Sequence, residues 1–209
     1  MDDINIVYYI NLAHRTDRKF EFLDWIKKSG IQEDKINRIE AVSIPDKGYI
    51  GCSLSHIKTL QTFLESSHEN CIVFEDDYQP LNIDTFWSDI SRLFEVKYDY
   101  DLVMCCYCYK PITEPTDHTF LHKVHQAATA SGYIITRDFA KILKNHWEEG
   151  LKLLLEEEEI TKRQCERFKL DVYWVSLMPL SKWYCFYPRL GMQRPSYSDI
   201  EKRMTDYQS

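Results

Sequence analysis

Three consecutive acidic residues follow a short apolar run in the first half of the sequence. Residues 71–74 are apolar and lead directly into Glu75, Asp76 and Asp77. A continuous apolar run indicates a buried strand, so the carboxylates would lie at its end. Adjacent carboxylates repel one another unless a cation lies among them, and oxygen ligands favour Mg²⁺ or Mn²⁺ over zinc. The pattern therefore predicts either a metal site or a solvated acidic turn.

A basic loop follows the first apolar run of the chain. Residues 4–10 read as the first strand, which ends at Asn11, and Arg15 and Arg18 lie at the start of the next helix. Bare N–H groups at a helix start and guanidinium groups both bind phosphate. This loop is a candidate phosphate site, and a solvated helix start is the alternative.

Two further places carry residues that could contact a ligand. A glycine-marked turn at residues 48–51 leads into an apolar-periodic helix, with Ser53 as a plausible cap and His56 in the first turn. His56 either contacts a ligand or packs in the core. Asp171 stands at the head of the apolar segment 171–178, where a carboxylate can cap a helix and still project into a cleft.

The elements that must position these residues alternate along the chain. The apolar runs predict β-strands separated by amphipathic helices, and this alternation predicts an α/β fold with a central, mostly parallel sheet flanked by helices. The strand of residues 71–74 is expected to be the third parallel strand. Residues 111–117 read as a loop, and the helix from residue 137 to 159 is expected to break near Gly150. The run from Glu156 to Glu159 reads as a solvated helix flank.

Composition limits the classes of function. The chain has 209 residues, which suits a single domain over 1–209, with 190–209 as a C-terminal tail. Its 33 acidic and 26 basic residues give a net charge of −7, which argues against nucleic acid as a partner. The absence of a long apolar run predicts no transmembrane segment and a cytoplasmic location. The seven cysteines read as reduced core residues.

The ordered set of motifs is more specific than any one of them. The strand end at Asn11 with its basic loop, the segment 51–56 and the segment 74–77 occur in the order and spacing of one family. The chain resembles glycosyltransferase family 25, which includes bacterial lipooligosaccharide galactosyltransferases and collagen β-galactosyltransferases. The later segments 131–133 and 193–200 are similar too.

The resemblance implies a GT-A fold, that of a Rossmann-like nucleotide-diphospho-sugar transferase. It implies inverting transfer of a hexose, galactose or glucose, from a UDP-sugar to a hydroxyl group of a glycan or protein, as in lipopolysaccharide or glycan biosynthesis. Mn²⁺, or Mg²⁺, would be held by Asp77 and Glu75, and Asp171 would be the general base, with a helix cap as its alternative role. The donor-binding residues implied are Asn11, Arg15, Arg18, Ser53, His56, Glu75 and Asp76.

Two other functions compete with this interpretation. A catalytically inactive GT-A module would bind a nucleotide sugar or glycan without turnover, although such a module has no need of three mutually repelling acids. A nucleotidyltransferase would also use clustered acids and a metal ion, but it would not need a base for a sugar acceptor. Turnover of a UDP-sugar separates the three functions.

Overall fold

The computed structural model describes residues 6–206. The strands in chain order are β1 (Val7–Asn11), β2 (Ile36–Glu40), β3 (Asn70–Glu75), β4 (Tyr78–Pro80), β5 (Leu102–Met104), β6 (Cys108–Pro115), β7 (Leu121–Ala128), β8 (Gly132–Thr136), β9 (Trp183–Phe186), β10 (Gly191–Gln193), β11 (Ser196–Ser198) and β12 (Arg203–Thr205). The α-helices are α1 (Thr16–Lys28), α2 (Gly48–Glu65), α3 (Phe86–Glu95), α4 (Arg137–Thr161) and α5 (Leu170–Tyr173). Short 3₁₀ turns span Glu33–Lys35 and Trp174–Leu180.

Eight of these strands form the central sheet, in the order β2-β1-β3-β8-β5-β9-β7-β6. Strand β1 is parallel to both β2 and β3, as the alternation of strands and helices predicts. Strands β8 and β7 are antiparallel to both of their neighbours, so the other six of the eight strands point the same way. The predicted α/β fold, with a central, mostly parallel sheet between helices, is confirmed.

Helices cover both faces of the sheet, which explains why β1 is buried along its whole length. Tyr8 and Ile10 pack on one face, in the cluster that includes side chains of α2 and α4. Val7 and Tyr9 pack on the other face with side chains of α1 and α3. Successive side chains of a strand point to opposite faces, so a strand between two helical layers must be apolar throughout.

The boundaries differ from the sequence predictions in three places. The first strand begins at Val7 rather than residue 4, and residues 4 and 5 lie outside the described part of the chain. Residues 111–115 belong to β6, which pairs with β7, and are not a loop. Helix α4 continues through Gly150, where an added Cβ would lie 2.4 Å from the ring of Tyr173. That glycine allows two elements to approach closely and does not break the helix.

None of the helices between residues 6 and 206 has the length and apolar composition that crossing a bilayer requires.

Candidate active site

The three acidic residues lie at the carboxyl end of β3, next to the carboxyl end of β1. Glu75 is the last residue of β3 and pairs in register with Ile10 of β1. Asp76 and Asp77 form the turn that leads into β4, and both are buried. Because neighbouring parallel strands end at the same edge, Asn11 of β1 lies beside this turn.

Arg18, in the first turns of α1, joins two of the carboxylates. Its NH1 group lies 3.1 Å from Asp76 Oδ1 and 3.1 Å from Asp77 Oδ2. Its NH2 group donates to Ser196 Oγ at 2.7 Å and to the carbonyl oxygen of Tyr197 at 2.9 Å. One guanidinium therefore offsets part of the charge of the acidic cluster and fixes the C-terminal segment above it.

Asn11 hydrogen-bonds to the carboxylate of Asp76, the second of the three acidic residues. Its Nδ2 group donates to Asp76 Oδ2 at 2.6 Å, and its Oδ1 atom accepts from Arg38 Nε at 3.1 Å. Burial raises the pKa of Asp76, although Arg18 and Asn11 favour its ionised form. Both oxygens of Asp76 are thus already bound by protein donors.

Asp77 keeps one oxygen free. Oδ2 accepts from Arg18 and from Gln193 Nε2 at 3.3 Å, whereas the buried Oδ1 atom has no hydrogen-bond partner among residues 6–206. Burial and then the nearby charge of Glu75 raise the pKa of Asp77 to about 7. A buried carboxylate oxygen without a donor is costly, so it marks a position where a cation would be stabilising.

Glu75 rests on a buried histidine. The Nε2–H group of His56 donates to Glu75 Oε1 at 3.2 Å, and His56 Nδ1 lies 3.1 Å from the hydroxyl of Tyr133. The thiol of Cys52 lies 3.5 Å from the same Glu75 oxygen. Burial acts to raise the pKa of Glu75, but the hydrogen bond and charge of His56 outweigh it and lower that pKa. Glu75 therefore favours its ionised form, beside an Asp77 whose pKa is raised.

A cleft of about 360 Å³ opens above the carboxylates. Its floor contains Arg18, Glu75, Asp76 and Asp77, and its far wall is the segment 41–48 before and at the start of α2. Residues 198–202 of the C-terminal segment form its outer edge. Lys202 of that edge forms an ion pair with Asp46 of the far wall, so the C-terminal segment spans the mouth of the cleft.

Asp171 lies apart from this floor. It is not among the residues that line the cleft, and its Oδ2 atom accepts from the backbone N–H of Thr129 at 3.3 Å. Burial and then the charge of Glu75 raise the pKa of Asp171, so the two carboxylates interact. Thr129 and Gln193 connect them: Thr129, whose N–H group donates to Asp171, also donates through Oγ1 to Gln193 at 3.1 Å, and the Nε2 group of Gln193 lies 3.5 Å from Glu75 Oε2.

The structure brings together some of the residues predicted from the sequence and separates others. Asn11 and His56 lie directly beneath the carboxylates of the floor. Arg15 forms ion pairs with Asp17 and Asp199 and does not line the cleft. Ser53 does not cap α2, because the helix begins at Gly48, and its hydroxyl donates to the Tyr49 carbonyl at 3.1 Å.

Sequence reasoning missed several residues of the site. Gln193 belongs to a segment that the motif comparison had noted, but its contacts with Glu75 and Asp77 depend on the pairing of β10 with β4. Cys52 is four residues before His56 on α2, a spacing that places two side chains on the same helix face. That spacing was the available signal for Cys52.

No protein-family model and no curated protein sequence matches this chain. Among solved structures, A197 from STIV matches with a TM-score of 0.50 and 15% identity, over 99% of this chain and 97% of that chain. Mannose-1-phosphate geranyltransferase from Thermus thermophilus matches with a TM-score of 0.49 and 9% identity, over 88% and 73% of the two chains. The apo form of UDP-glucose pyrophosphorylase matches with a TM-score of 0.48 and 9% identity, over 87% of this chain and 72% of that chain. At such identities, the likeness to A197 shows a shared fold alone.

Proposed function

We propose that this chain is a metal-dependent, inverting glycosyltransferase similar to family 25. It would transfer a hexose, galactose or glucose, from a UDP-sugar to a hydroxyl group of a glycan or protein. The observation that carries the proposal is the cleft of about 360 Å³ whose floor contains three acidic side chains at the carboxyl end of β3, beside the end of the parallel strand β1. Ligands of open α/β sheets bind beyond the carboxyl ends of the strands, in clefts of about this size.

The carboxylates fit a hard divalent ion. Asp77 offers the buried Oδ1 atom that has no donor among residues 6–206, and the other oxygen of Asp77 and Glu75 Oε2 both lie near the Nε2 group of Gln193. Oxygen ligands of this kind suit Mn²⁺ or Mg²⁺. Asp77 and Glu75 would hold the ion, and Asp76 would position Arg18 and Asn11. When bound, the ion would offset the negative charge that develops on the departing diphosphate.

The walls of the cleft suit the two halves of a UDP group. Basic groups of Arg18, His14 and Lys202 line the cleft near the carboxylates and the C-terminal segment, where a diphosphate would need them. Ala41, Val42 and other small or apolar residues line the opposite wall, which suits a base and a ribose. Local cations would allow a protein with a net charge of −7 to bind a dianion.

Asp171 is proposed as the general base. It would take the proton of the acceptor hydroxyl while the hydroxyl oxygen bonds to the anomeric carbon and the bond from that carbon to UDP breaks, with the electron pair leaving on UDP. Burial and the charge of Glu75 raise its pKa, and a carboxylate with a raised pKa is a stronger base. The N–H group of Thr129 donates to its carboxylate and helps to fix its orientation.

A second candidate is a module that binds a nucleotide sugar or glycan without turnover. The observation that favours it is that Arg18 already neutralises part of the charge of Asp76 and Asp77. A protein that never binds a metal ion could keep its acidic cluster stable in this way.

The deciding experiment measures UDP release from a panel of UDP-hexoses, with and without Mn²⁺. We expect one or two of the UDP-hexoses to be hydrolysed, and only when Mn²⁺ is present. The rate of UDP release by Asp77→Asn should be at least 100-fold lower than that of the parent. The exposed Asp138→Asn variant is the matched control and should behave as the parent. Full activity of Asp77→Asn would refute the metal assignment. UDP binding without turnover of any donor, even with a panel of glycan acceptors, would favour the binding module.

The same assay tests the base. Asp171→Asn should reduce transfer to an acceptor by more than 100-fold while the affinity for UDP changes less than threefold, because the residue does not line the cleft. Equal loss of UDP affinity and transfer would instead indicate a structural role as a helix cap.

A further inference from the structure

We propose that Cys52, His56 and Glu75 form a second metal site, which takes Zn²⁺ or a similar borderline ion through one thiolate, one imidazole and one carboxylate. This site differs in chemistry from the oxygen site proposed at Asp77. It goes beyond the transfer reaction, because it uses Glu75 Oε1 rather than Oε2 and adds Cys52 and His56, to which the transfer mechanism proposed above assigns no step.

Local structure brings the three ligands together from two elements. Cys52 and His56 are four residues apart on α2 and therefore share one face of that helix. Glu75 comes from the end of β3, against which this face packs. One ligand atom from each side chain lies within 4.8 Å of the other two.

The spacing of these atoms suits a tetrahedral ion. The thiol sulfur lies 3.5 Å from Glu75 Oε1, and His56 Nε2 lies 3.2 Å from that oxygen. Zinc bonds of ordinary length, about 2.3 Å to sulfur and about 2.1 Å to nitrogen and oxygen, give tetrahedral edges of about 3.6 Å and about 3.4 Å for these pairs. These two pairs lie within about 0.2 Å of the tetrahedral edges, and the third pair, a ring nitrogen of His56 and the sulfur of Cys52, lies within 4.8 Å.

The surroundings of His56 are those of a metal-binding histidine. Its other ring nitrogen, Nδ1, lies 3.1 Å from the hydroxyl of Tyr133, which is fully buried. When Nε2 binds an ion, the Nδ1–H group donates to that hydroxyl, so the ring keeps its orientation. The imidazole also packs between the rings of Tyr133 and Trp147, at centroid distances of 5.9 Å and 5.5 Å. The ligand is therefore positioned before any ion arrives.

The site has an entrance and an open position. Cys52 and Glu75 line the cleft, whereas His56 is fully buried behind them, so an ion would enter from the cleft. Three protein ligands with a fourth position open to solvent is the arrangement of catalytic zinc sites rather than of closed structural ones. Binding converts the thiol to a thiolate and releases its proton to water. Thiolate and imidazole ligands prefer zinc or cobalt to Mg²⁺ and Mn²⁺.

Cobalt provides a direct test, because a Co²⁺–thiolate bond produces a charge-transfer band in the near ultraviolet. The full chain, stripped with a chelator, is titrated with Co²⁺ and then with Zn²⁺. We expect one equivalent of Co²⁺ to give the band and one equivalent of Zn²⁺ to remove it. Cys52→Ser should abolish the band, and His56→Gln should weaken Co²⁺ binding at least tenfold. Cys165→Ala, which changes a buried cysteine outside the trio, should retain it.

Thermal unfolding of each variant shows that it is folded, and Glu75→Gln provides a further variant that leaves the thiol in place. A titration of folded parent protein without the band, or a band that persists in Cys52→Ser, would overturn the proposal. Binding of Co²⁺ without a thiolate band would also overturn it, because carboxylates alone would then be the ligands. UDP release with Mn²⁺ is measured separately, so failure of the zinc site and failure of the transferase are distinguishable.

Discussion

At the residue scale, the acidic cluster has more negative charge than its partners offset. Asp76 and Asp77 share the guanidinium of Arg18, Glu75 is paired with His56, and Asp77 Oδ1 has no donor among residues 6–206. The cost falls on Asp77, whose pKa rises to about 7, chiefly through burial and then through Glu75. A buried carboxyl with a raised pKa lowers the free energy of unfolding, and such groups are common at functional sites.

This cost predicts that Asp77→Asn stabilises the metal-free protein at alkaline pH. A carboxyl whose pKa is raised on folding binds its proton more tightly in the folded state, so stability is lost as pH rises from about 4 to about 7. With a chelator present, the variant should exceed the parent by about 1–3 kcal/mol at pH 8 and match it near pH 4. Urea unfolding at the two pH values measures this. If the variant and the parent differ in unfolding free energy by the same amount at both pH values, the pKa of Asp77 is not raised on folding.

The sequence allowed the acidic floor of the site to be predicted, but not its walls. Glu75, Asp76 and Asp77 are adjacent in the chain, so their proximity needs no knowledge of the fold. Gln193 reaches Asp77 only because β10 pairs with β4, a contact between segments over 110 residues apart. No local periodicity encodes such a contact, because β4 and β10 form a separate two-stranded sheet from distant parts of the chain.

At the element scale, the first turn of α2 lies in close contact with the backbone of the segment before it, at Gly51 and Val42. A Cβ atom at Gly51 would lie 2.4 Å from the carbonyl oxygen of Val42, in the wall of the cleft. Backbone cannot move aside as a side chain can, so the wall and the helix would have to separate. Gly51 therefore fixes the width of the cleft on this side.

Gly51→Ala should consequently weaken the binding of UDP at least tenfold and reduce the free energy of unfolding by about 1–3 kcal/mol. Calorimetric titration with UDP and Mn²⁺, together with urea unfolding, tests both effects. Gln61→Ala, on the exposed side of the same helix, is the control. If Gly51→Ala binds UDP as well as the parent does, the wall at residues 41–48 is not part of the nucleotide site.

Helix α4 supports the same wall through a residue that the sequence analysis placed in solvent. Glu158 is buried, and it accepts from Tyr49 at 2.6 Å, from Lys47 at 2.9 Å and from the backbone of Cys165 at 3.1 Å. It follows Leu154 by four residues, on the buried stripe of the helix. The prediction of a solvated flank holds for Glu156 and Glu159, which are exposed, and is wrong for Glu158, because it weighed the acidic run and not the helical period.

The ion pair and hydrogen bonds of Glu158 predict a pH-dependent contribution to stability. Burial acts to raise its pKa, but the donors from Tyr49 and Lys47 outweigh burial and lower it. A lowered pKa stabilises the fold above the unfolded value near 4.5 and loses that effect as pH falls. Glu158→Gln should cost about 1–2 kcal/mol at pH 7 and much less below pH 4. Unfolding curves at the two pH values are compared with those of Glu159→Gln, which changes an exposed neighbour. If the two variants unfold alike, the predicted contribution of Glu158 to stability is wrong.

At the scale of the whole molecule, the C-terminal segment occupies cationic groups that a diphosphate would need. Asp199 forms an ion pair with Arg15, and the carbonyl of Tyr197 accepts from both Arg15 and Arg18. Asp199 also lines the cleft, where it adds negative charge. A nucleotide must therefore compete with this segment for the same groups.

Asp199→Asn should accordingly tighten the binding of UDP by about threefold to tenfold, most strongly at low ionic strength, because it removes a repulsive charge from the lining of the cleft. Titrations at two salt concentrations measure the effect. Glu201→Gln, in the same segment, is the control. Weaker binding in Asp199→Asn would show that the ion pair holds the outer edge of the cleft in place rather than competing with the ligand.

The fold itself was predictable in its first half because each step there is local. Strands β1, β2 and β3 follow one another with one helix between each pair, and all three lie together in the sheet. The second half was not predictable, because β8 inserts between β3 and β5, and β9 pairs with β5 from about 80 residues away. Only long-range pairing determines that order.

The insertion of β8 also has a consequence for synthesis of the chain. Strand β3 has one edge covered by β1 and the other only by Gly132–Thr136, which a ribosome adds about 60 residues later. Until then, the apolar residues 71–74 form an open edge that can pair with another nascent chain. Light scattering should therefore show self-association of a fragment that stops at residue 128. The full chain, in which β8 covers this edge of β3, should remain dispersed.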